Sequence, residues 1–285
     1  MTISRLGVVG SGIMGSGIAE VAAKAGIEVI LRSRKQETAD AMVASLEKSL
    51  AKQVERGKVE EQAAKEILAR VTSTDDLHAL HDCDLVLESV VEDLAVKKEL
   101  FTRLDDIVKP EGILATNTST LPVVELAVAT ERPDKVVGIH FFNPAPMMSL
   151  VEVIAPLTAS PETVAAAKAF ASGCGKDVVE VKDRAGFIVN ALLFPYLNNA
   201  VRMLEAGTAT RDDIDTAMKG GCNFPMGPLA LLDLVGLDTS LSILDALYDE
   251  FRDPNYAAMP LLRRMVAAGE LGRKSGSGFF DYRKK

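Results

Sequence analysis

A strand, a glycine-rich turn and a helix open the chain, and that order limits the fold more than anything after it. Arg5 to Val9 (RLGVV) is apolar without alternation, the pattern of a strand buried on both faces. It runs directly into Gly10-Ser11-Gly12-Ile13-Met14-Gly15, a G-x-G-x-x-G motif. A helix is expected from about Met14 to Ala25, stopped by Gly26, and Ile27 to Leu31 reads as the next strand. In this setting the first glycine permits the tight turn and the second lets a pyrophosphate approach the backbone. The third lets helix and strand pack closely, and the phosphate lies on the helix N-terminus. The motif alone is weak; between a strand and a helix it points to dinucleotide binding.

The end of the second strand reads Leu31-Arg32-Ser33-Arg34-Lys35. Ser33 stands where an acidic residue is expected, about 20 residues past the glycine turn, to bond the ribose 2′-hydroxyl. Ser33 can instead donate to a phosphate oxygen, and the Arg34 guanidinium can bind a phosphate through paired, charge-assisted bonds. The expected cofactor is therefore NADP(H) in preference to NAD(H), unless these charges are solvated and the ribose is held by other groups.

Further on, Gln36 to about Arg56 has helical periodicity, Gly57 breaks it, and Glu60 to Ala69 makes a second helix, a hairpin inserted into the alternation. Lys48, Lys52 and Arg56 share one face of the first helix, either solvated among nearby glutamates or a docking strip for a phosphorylated handle. Strands continue at Asp84–Val91, Gly112–Thr116 and Val136–Phe141, each after a helix-like segment, which means a doubly wound, mostly parallel sheet. Polar groups collect at the carboxyl ends: Glu92, Asn117-Thr118-Ser119 and His140, with Lys97 opening the helix after Glu92.

After His140 the chain breaks at Asn143-Pro144-Ala145-Pro146 and returns as Leu150 to Ile154, with Glu152 between two valines. Two runs joined by such a reversal can lie side by side and bring Glu152 against His140. A carboxylate on one imidazole nitrogen fixes the tautomer and raises the basicity of the other. A core histidine and a surface glutamate on an edge strand would give the same spacing. Lys176 to Val181 reads as the last strand, and Asp183-Arg184-Ala185-Gly186 marks a boundary. The expected domains are 1–183, dinucleotide-binding, and 184–285, all-α, with helices at Phe187–Ala206, Asp212–Lys219, Leu229–Phe251 and Met259–Ala268.

A net charge of -8 argues against nucleic acid as a partner. There is no apolar run long enough to span a membrane and no charged-then-apolar leader, so no membrane association is expected. Three widely spaced cysteines, Cys83, Cys174 and Cys222, suit a reducing cytoplasm and offer no metal spacing. The Leu-, Ile- and Val-rich second half suggests burial against a second copy, hence a homodimer through the helical domain.

The motifs GSGIMGSGIAE, ATNTST, HFFNPAPMMSLVEVI, GFIVN, PMGPLALLDLVGLD and LGRKSGSGFFDY resemble those of the 3-hydroxyacyl-CoA dehydrogenases, most closely the short bacterial 3-hydroxybutyryl-CoA enzymes. The resemblance runs from Leu6 to Tyr282. It implies a Rossmann-like domain followed by an all-α domain, an acyl-CoA substrate, and hydride transfer between a nicotinamide and C3 of the acyl chain. It further implies His140 as acid/base, Glu152 as its orienting carboxylate, Ser119 as a contact to substrate and nicotinamide, and Asn190 as a contact to the reacting oxygen. Glu92, Lys97, Asn143 and Lys274 match cofactor contacts; Ser45 and Lys52 match coenzyme A contacts. The sequence departs from the family at Thr120, where serine is usual, and at Ala191, where arginine is common; the latter bears on interdomain contacts or chain-length preference. Two other readings stand beside this one: a hydroxy-acid dehydrogenase of the same cofactor fold using a lysine base, and a non-catalytic, crystallin-like or sensor nucleotide binder.

Overall fold

The structure is a computed structural model and describes residues 2–283. The chain divides into two compact units, Met1–Asp183 and Arg184–Lys285.

The first unit holds β1 (Arg5–Val9), α1 (Ile13–Lys24), β2 (Glu28–Arg32), α2 (Gln36–Glu55), α3 (Glu61–Ala69), β3 (Val71–Thr74), β4 (Leu85–Glu88) and α4 (Leu94–Ile107). It continues through β5 (Ile113–Thr116), α5 (Val123–Ala127), β6 (Val136–Phe141), β7 (Leu150–Ala155), α6 (Pro161–Gly173) and β8 (Asp177–Lys182). These strands form one sheet in the order β3-β2-β1-β4-β5-β6-β7-β8. Every neighbouring pair is parallel except β6 with β7. The winding reverses at β1, which has β2 on one side and β4 on the other, and ligands of such sheets bind at the carboxyl ends beside that reversal.

Burial explains the strand sequences. Strands β4, β5 and β6 are buried at every position, so their runs show no alternation. Side chains from β1, β2, β4, β6 and β7 share one core with the apolar faces of α1, α2 and α6, among them Leu6, Ile18, Leu46, Leu87, Val153 and Phe170. The hairpin α2–α3 turns at Gly57, whose φ of 66° lies in the left-handed region that glycine enters without strain. Strand β3 (VTST) is an addition to the sequence expectation. Only its first residue is buried, so it carried too little apolar pattern to read as a strand.

The second unit is helical: α7 (Val189–Glu205), α8 (Arg211–Cys222), α9 (Pro228–Val235), α10 (Leu237–Phe251) and α11 (Pro260–Ala267). Pro195 lies inside α7. Thr210 caps α8, its hydroxyl oxygen accepting from the Asp213 N–H at 3.2 Å. The single helix expected over Leu229–Phe251 is two. Gly236, at φ 102°, separates α9 from α10, and the apolar periodicity on both sides hides the break. Two buried aspartates tie loops to the helices. Asp215 accepts from the Leu229 and Ala230 N–H groups at 2.8 and 3.0 Å. Asp233 accepts from the Phe279 and Phe280 N–H groups at 2.9 Å each and from the Tyr282 hydroxyl at 3.0 Å.

Candidate active site

The glycine turn between β1 and α1 has the form a dinucleotide needs. Gly10 has φ 135°, and a Cβ there would stand 2.2 Å from the Ser89 carbonyl oxygen. A Cβ on Gly15 would meet the Gly10 carbonyl oxygen at 2.4 Å, so only glycine lets α1 approach β1 this closely. Gly12, the N-cap of α1, has open space where a Cβ would project, and no side chain caps the helix. The first N–H groups of α1 are thus presented to an incoming pyrophosphate, with Ser11 and the exposed Ile13 beside them and Met14 packed on the core.

At the end of β2 the three basic residues differ. Arg32 is half-buried, and its Nε donates to the Asp75 carbonyl at 3.2 Å. Burial, then the neighbouring Arg103, pull its pKa below the usual guanidinium value. Ser33 is buried, with its N–H donating to the Thr74 carbonyl at 3.1 Å on β3. Arg34 and Lys35 are exposed.

A continuous polar path crosses the carboxyl ends of β4, β5 and β6 and reaches the antiparallel β7. His140 and Glu152 are directly opposed in the antiparallel register of β6 and β7, and His140 Nδ1 is 2.8 Å from Glu152 Oε2. Both are buried, and β8 covers the outer edge of β7, so Glu152 is not a surface residue of an edge strand. The other ring nitrogen, Nε2, is 3.2 Å from Ser119 Oγ. The Asn117 side-chain oxygen accepts from the Phe141 N–H at 2.8 Å and ties the end of β5 to that of β6. Glu92 Oε1 accepts from the Thr118 hydroxyl at 2.5 Å, the Ser119 N–H at 2.9 Å and the Thr120 hydroxyl at 3.5 Å. Thr120 thus keeps a hydroxyl within reach of Glu92.

Lys97 is placed differently from a surface contact. It is 1% exposed, and its Nζ lies 2.6 Å from Glu88 Oε1 and 3.2 Å from Glu92 Oε2. Any part it takes in a cofactor site runs through Glu92. Glu88 escaped the sequence reading, although an acid inside DLVLESVV is as out of character as Glu152 inside its own run.

Asn143 is exposed in the reversal between β6 and β7. Lys176, also missed, pins this reversal: its Nζ donates to the Ala145 and Met148 carbonyls at 2.7 Å each. A cleft of about 360 Å³ runs from Ser11 and Gly12 between α1 and α2 to Pro144–Pro146. Ser45 lines it, while Lys48 and Lys52 stand exposed on α2 and Arg56 is exposed at its C-cap. A third residue missed in the sequence, Glu20, also lines the cleft, buried and bonded to Lys24 Nζ (2.6 Å), Gln53 Nε2 (2.8 Å) and Ser49 Oγ (3.0 Å). A charged residue on a helix reads as solvated unless its covering helix is known.

In the helical unit, Asn190 is buried in the first turn of α7. Lys274 forms an ion pair with Asp238, 2.5 Å to Oδ1, and this pairing holds the Asp238 carboxyl below the usual carboxylate range despite burial. Among the described residues no group of three or more His, Cys, Asp or Glu is placed to hold a metal ion.

A doubly wound sheet with a phosphate-ready glycine turn and a buried His–Glu pair at its carboxyl ends defines a dinucleotide-dependent oxidoreductase. Comparison with known proteins makes this specific. Residues 5–184 match the model of the 3-hydroxyacyl-CoA dehydrogenase NAD binding domain, and residues 186–282 match that of its C-terminal domain. The chain belongs to the 3-hydroxyacyl-CoA dehydrogenase family, and its cofactor is a nicotinamide dinucleotide. It is 50% identical to a 3-hydroxybutyryl-CoA dehydrogenase of Mycobacterium tuberculosis, covering 98% of this chain and 99% of the relative. It is 48% identical to one from Clostridioides difficile, covering 98% and 100%. The crystal structure of (S)-3-hydroxybutyryl-CoA dehydrogenase PaaH1 from Ralstonia eutropha superposes with a TM-score of 0.97 at 41% identity, covering 99% and 100%.

Proposed function

We propose that the chain interconverts a short-chain (3S)-3-hydroxyacyl-CoA and its 3-ketoacyl-CoA, with 3-hydroxybutyryl-CoA and acetoacetyl-CoA as the working pair. The observation that carries this is the path Ser119 Oγ–His140–Glu152, from the carboxyl ends of β5 and β6 to the facing residue of the antiparallel β7. Glu152 holds the proton on Nδ1 and leaves Nε2 as the atom that exchanges a proton with the substrate oxygen. In oxidation the C3–H bond breaks with its electron pair, the carbonyl forms, and the hydroxyl proton passes to Nε2. In reduction Nε2 returns the proton to the oxygen on C3. The Ser119 hydroxyl donates to that oxygen as negative charge develops, and Glu152 stabilises the imidazolium. When bound, the nicotinamide supplies or accepts the hydride at C4.

The pyrophosphate is assigned to Gly10–Gly15, with Glu92 and Asn143 as further cofactor contacts and Lys97 acting through Glu92. The coenzyme A moiety is assigned to the cleft between α1 and α2, with Ser45 inside it and Lys52 for a phosphate. The family resemblance assigns Asn190 to the reacting oxygen and Lys274 to the cofactor. NADP(H) is favoured over NAD(H), because the end of β2 offers no acid and an exposed Arg34. Arg32 is committed to Asp75 and leaves that role to Arg34.

A homodimer through the helical unit is supported by the exposed Leu192 and Met203, three turns apart on one face of α7. A cytoplasmic location is supported by three free cysteines. No helix among the described residues is long and apolar enough to cross a membrane. A lysine-based mechanism is disfavoured, because Lys97 is enclosed by two carboxylates. Initial rates with acetoacetyl-CoA and with each 3-hydroxybutyryl-CoA enantiomer test the assignment. Turnover of the ketone and of the (3S) alcohol is expected. A protein that binds the dinucleotide but turns over neither would be the non-catalytic alternative.

A further inference from the structure

Glu88 ends β4 with no exposed surface, and Lys97 nine residues later is 1% exposed. Removing two charges from water is costly, and a buried pair is often replaced by apolar residues without loss of stability. A reason other than stability is therefore needed for keeping it at the carboxyl edge of the sheet.

The bonds made by Glu88 supply that reason. Its Oε1 accepts from Lys97 Nζ and from the Val90 N–H, each at 2.6 Å. Its Oε2 accepts from the Thr116 hydroxyl at 2.8 Å. Two routes then lead from this carboxylate to one turn. On the first, Lys97 also holds Glu92 Oε2 at 3.2 Å, and Glu92 Oε1 accepts from the Thr118 hydroxyl and the Ser119 N–H. On the second, Thr116 Oγ1 accepts from the Thr118 N–H at 3.2 Å, and Thr118 Oγ1 accepts from the Leu121 N–H at 2.9 Å. Both routes close on the turn that carries Ser119, 3.2 Å from His140 Nε2.

We propose that Glu88 is a positioning residue that, through Lys97 and Glu92 on one side and Thr116 on the other, fixes the turn presenting Ser119 to His140. This rests on the reading of Ser119 and His140 as the reacting groups. Lys97 is shared by two carboxylates. Without Glu88 the ammonium has only Glu92 as an anionic partner of the pair and draws it away from the Ser119 N–H. The turn then loses both of its anchors at once, since Thr116 loses its acceptor too. A partly satisfied buried network of this kind is loose where a complete one is rigid.

The test is Glu88→Gln, together with the double variant Glu88→Gln/Lys97→Met, which leaves no buried unpaired ammonium. Turnover of acetoacetyl-CoA, KM for both substrates and Tm are measured on each. Both variants should lose kcat by about 10–100-fold, the scale known for outer partners that orient metal-ligating side chains. The double variant should keep a Tm close to wild type, and KM should change less than kcat in both. A double variant with wild-type kcat would overturn the proposal. So would one that fails to fold, or that loses Tm while each folded molecule turns over normally, since either places the pair's role in stability. His140→Ala measured alongside separates the two claims. If it remains active, the reading of the reacting groups fails whatever Glu88 does. If it is inactive while the double variant is normal, only the positioning role fails.

Discussion

Glu152 and His140 face each other across the one antiparallel pairing of the sheet, with 2.8 Å between Glu152 Oε2 and His140 Nδ1. The reversal at Asn143–Pro146 makes this possible, because turning the chain back places β7 beside β6 in a register that matches residue 140 to residue 152. Glu152→Gln keeps the shape and removes the charge opposite the imidazole. It should lower kcat by about 10–100-fold while leaving the cofactor KM near wild type. Equal loss in kcat and in cofactor binding, seen by steady-state rates and fluorescence titration, would point to a wider collapse of the site.

The coenzyme A assignment makes its own demand on α2. Lys52→Glu reverses a charge on an exposed helix face and should raise KM for acetoacetyl-CoA about tenfold, the factor that about 1.4 kcal/mol represents. The KM for the dinucleotide should barely move. If both rise together, the thioester docks elsewhere.

Cofactor choice is tested at the end of β2. Wild type should have the higher kcat/KM with NADPH. The double variant Ser33→Asp/Arg34→Ala places an acid against the ribose hydroxyl and removes the guanidinium, so it should lose or reverse that preference. A wild-type enzyme that works better with NADH would sink the NADP(H) reading and leave the nicotinamide assignment intact.

An acid-stability prediction comes from the opposite edge of the sheet. Burial alone would raise the pKa of Asp84. Bonds from Lys109 Nζ (2.7 Å), the Ser4 N–H and hydroxyl (2.8 Å each) and the Arg5 N–H (3.0 Å) outweigh it and hold the carboxyl down at about 2. A carboxyl depressed on folding stabilises the native state above its unfolded pKa of about 3.9, and that stabilisation disappears as the pH falls through the folded value. Asp84→Asn should therefore lower Tm at neutral pH, and the gap to wild type should close between about pH 4 and pH 2. A gap independent of pH would mean the shape of Asp84, not its charge, is what matters.

The sequence carried the parts of this molecule that depend on local pattern. The glycine turn and the unbroken apolar strands are spelled out by residues close together in the chain, whereas spacing allowed the His140–Glu152 pairing without fixing it. What it did not carry depends on what covers a residue. Val71–Thr74 pairs with β2 as a strand, though three of its four residues are Thr or Ser. Gly236 interrupts a helical pattern that stays in phase on both sides of it. Glu20 and Glu88 are charges whose burial comes from α2 in the first case and from the strands on either side of β4 in the second. Asn190 and Lys274 are assigned roles through family resemblance alone; Asn190 stands out only as a polar residue in an apolar helix.

The most direct measurement is the rate at which His140→Ala reduces acetoacetyl-CoA at saturating cofactor, with cofactor affinity titrated separately. His140 lies away from the glycine turn, so the dinucleotide should bind as in wild type. Turnover should fall by about 10²–10⁴-fold, the contribution of a general acid/base group. Near-normal turnover in His140→Ala would contradict the assignment of the Ser119–His140–Glu152 path as the route of the proton.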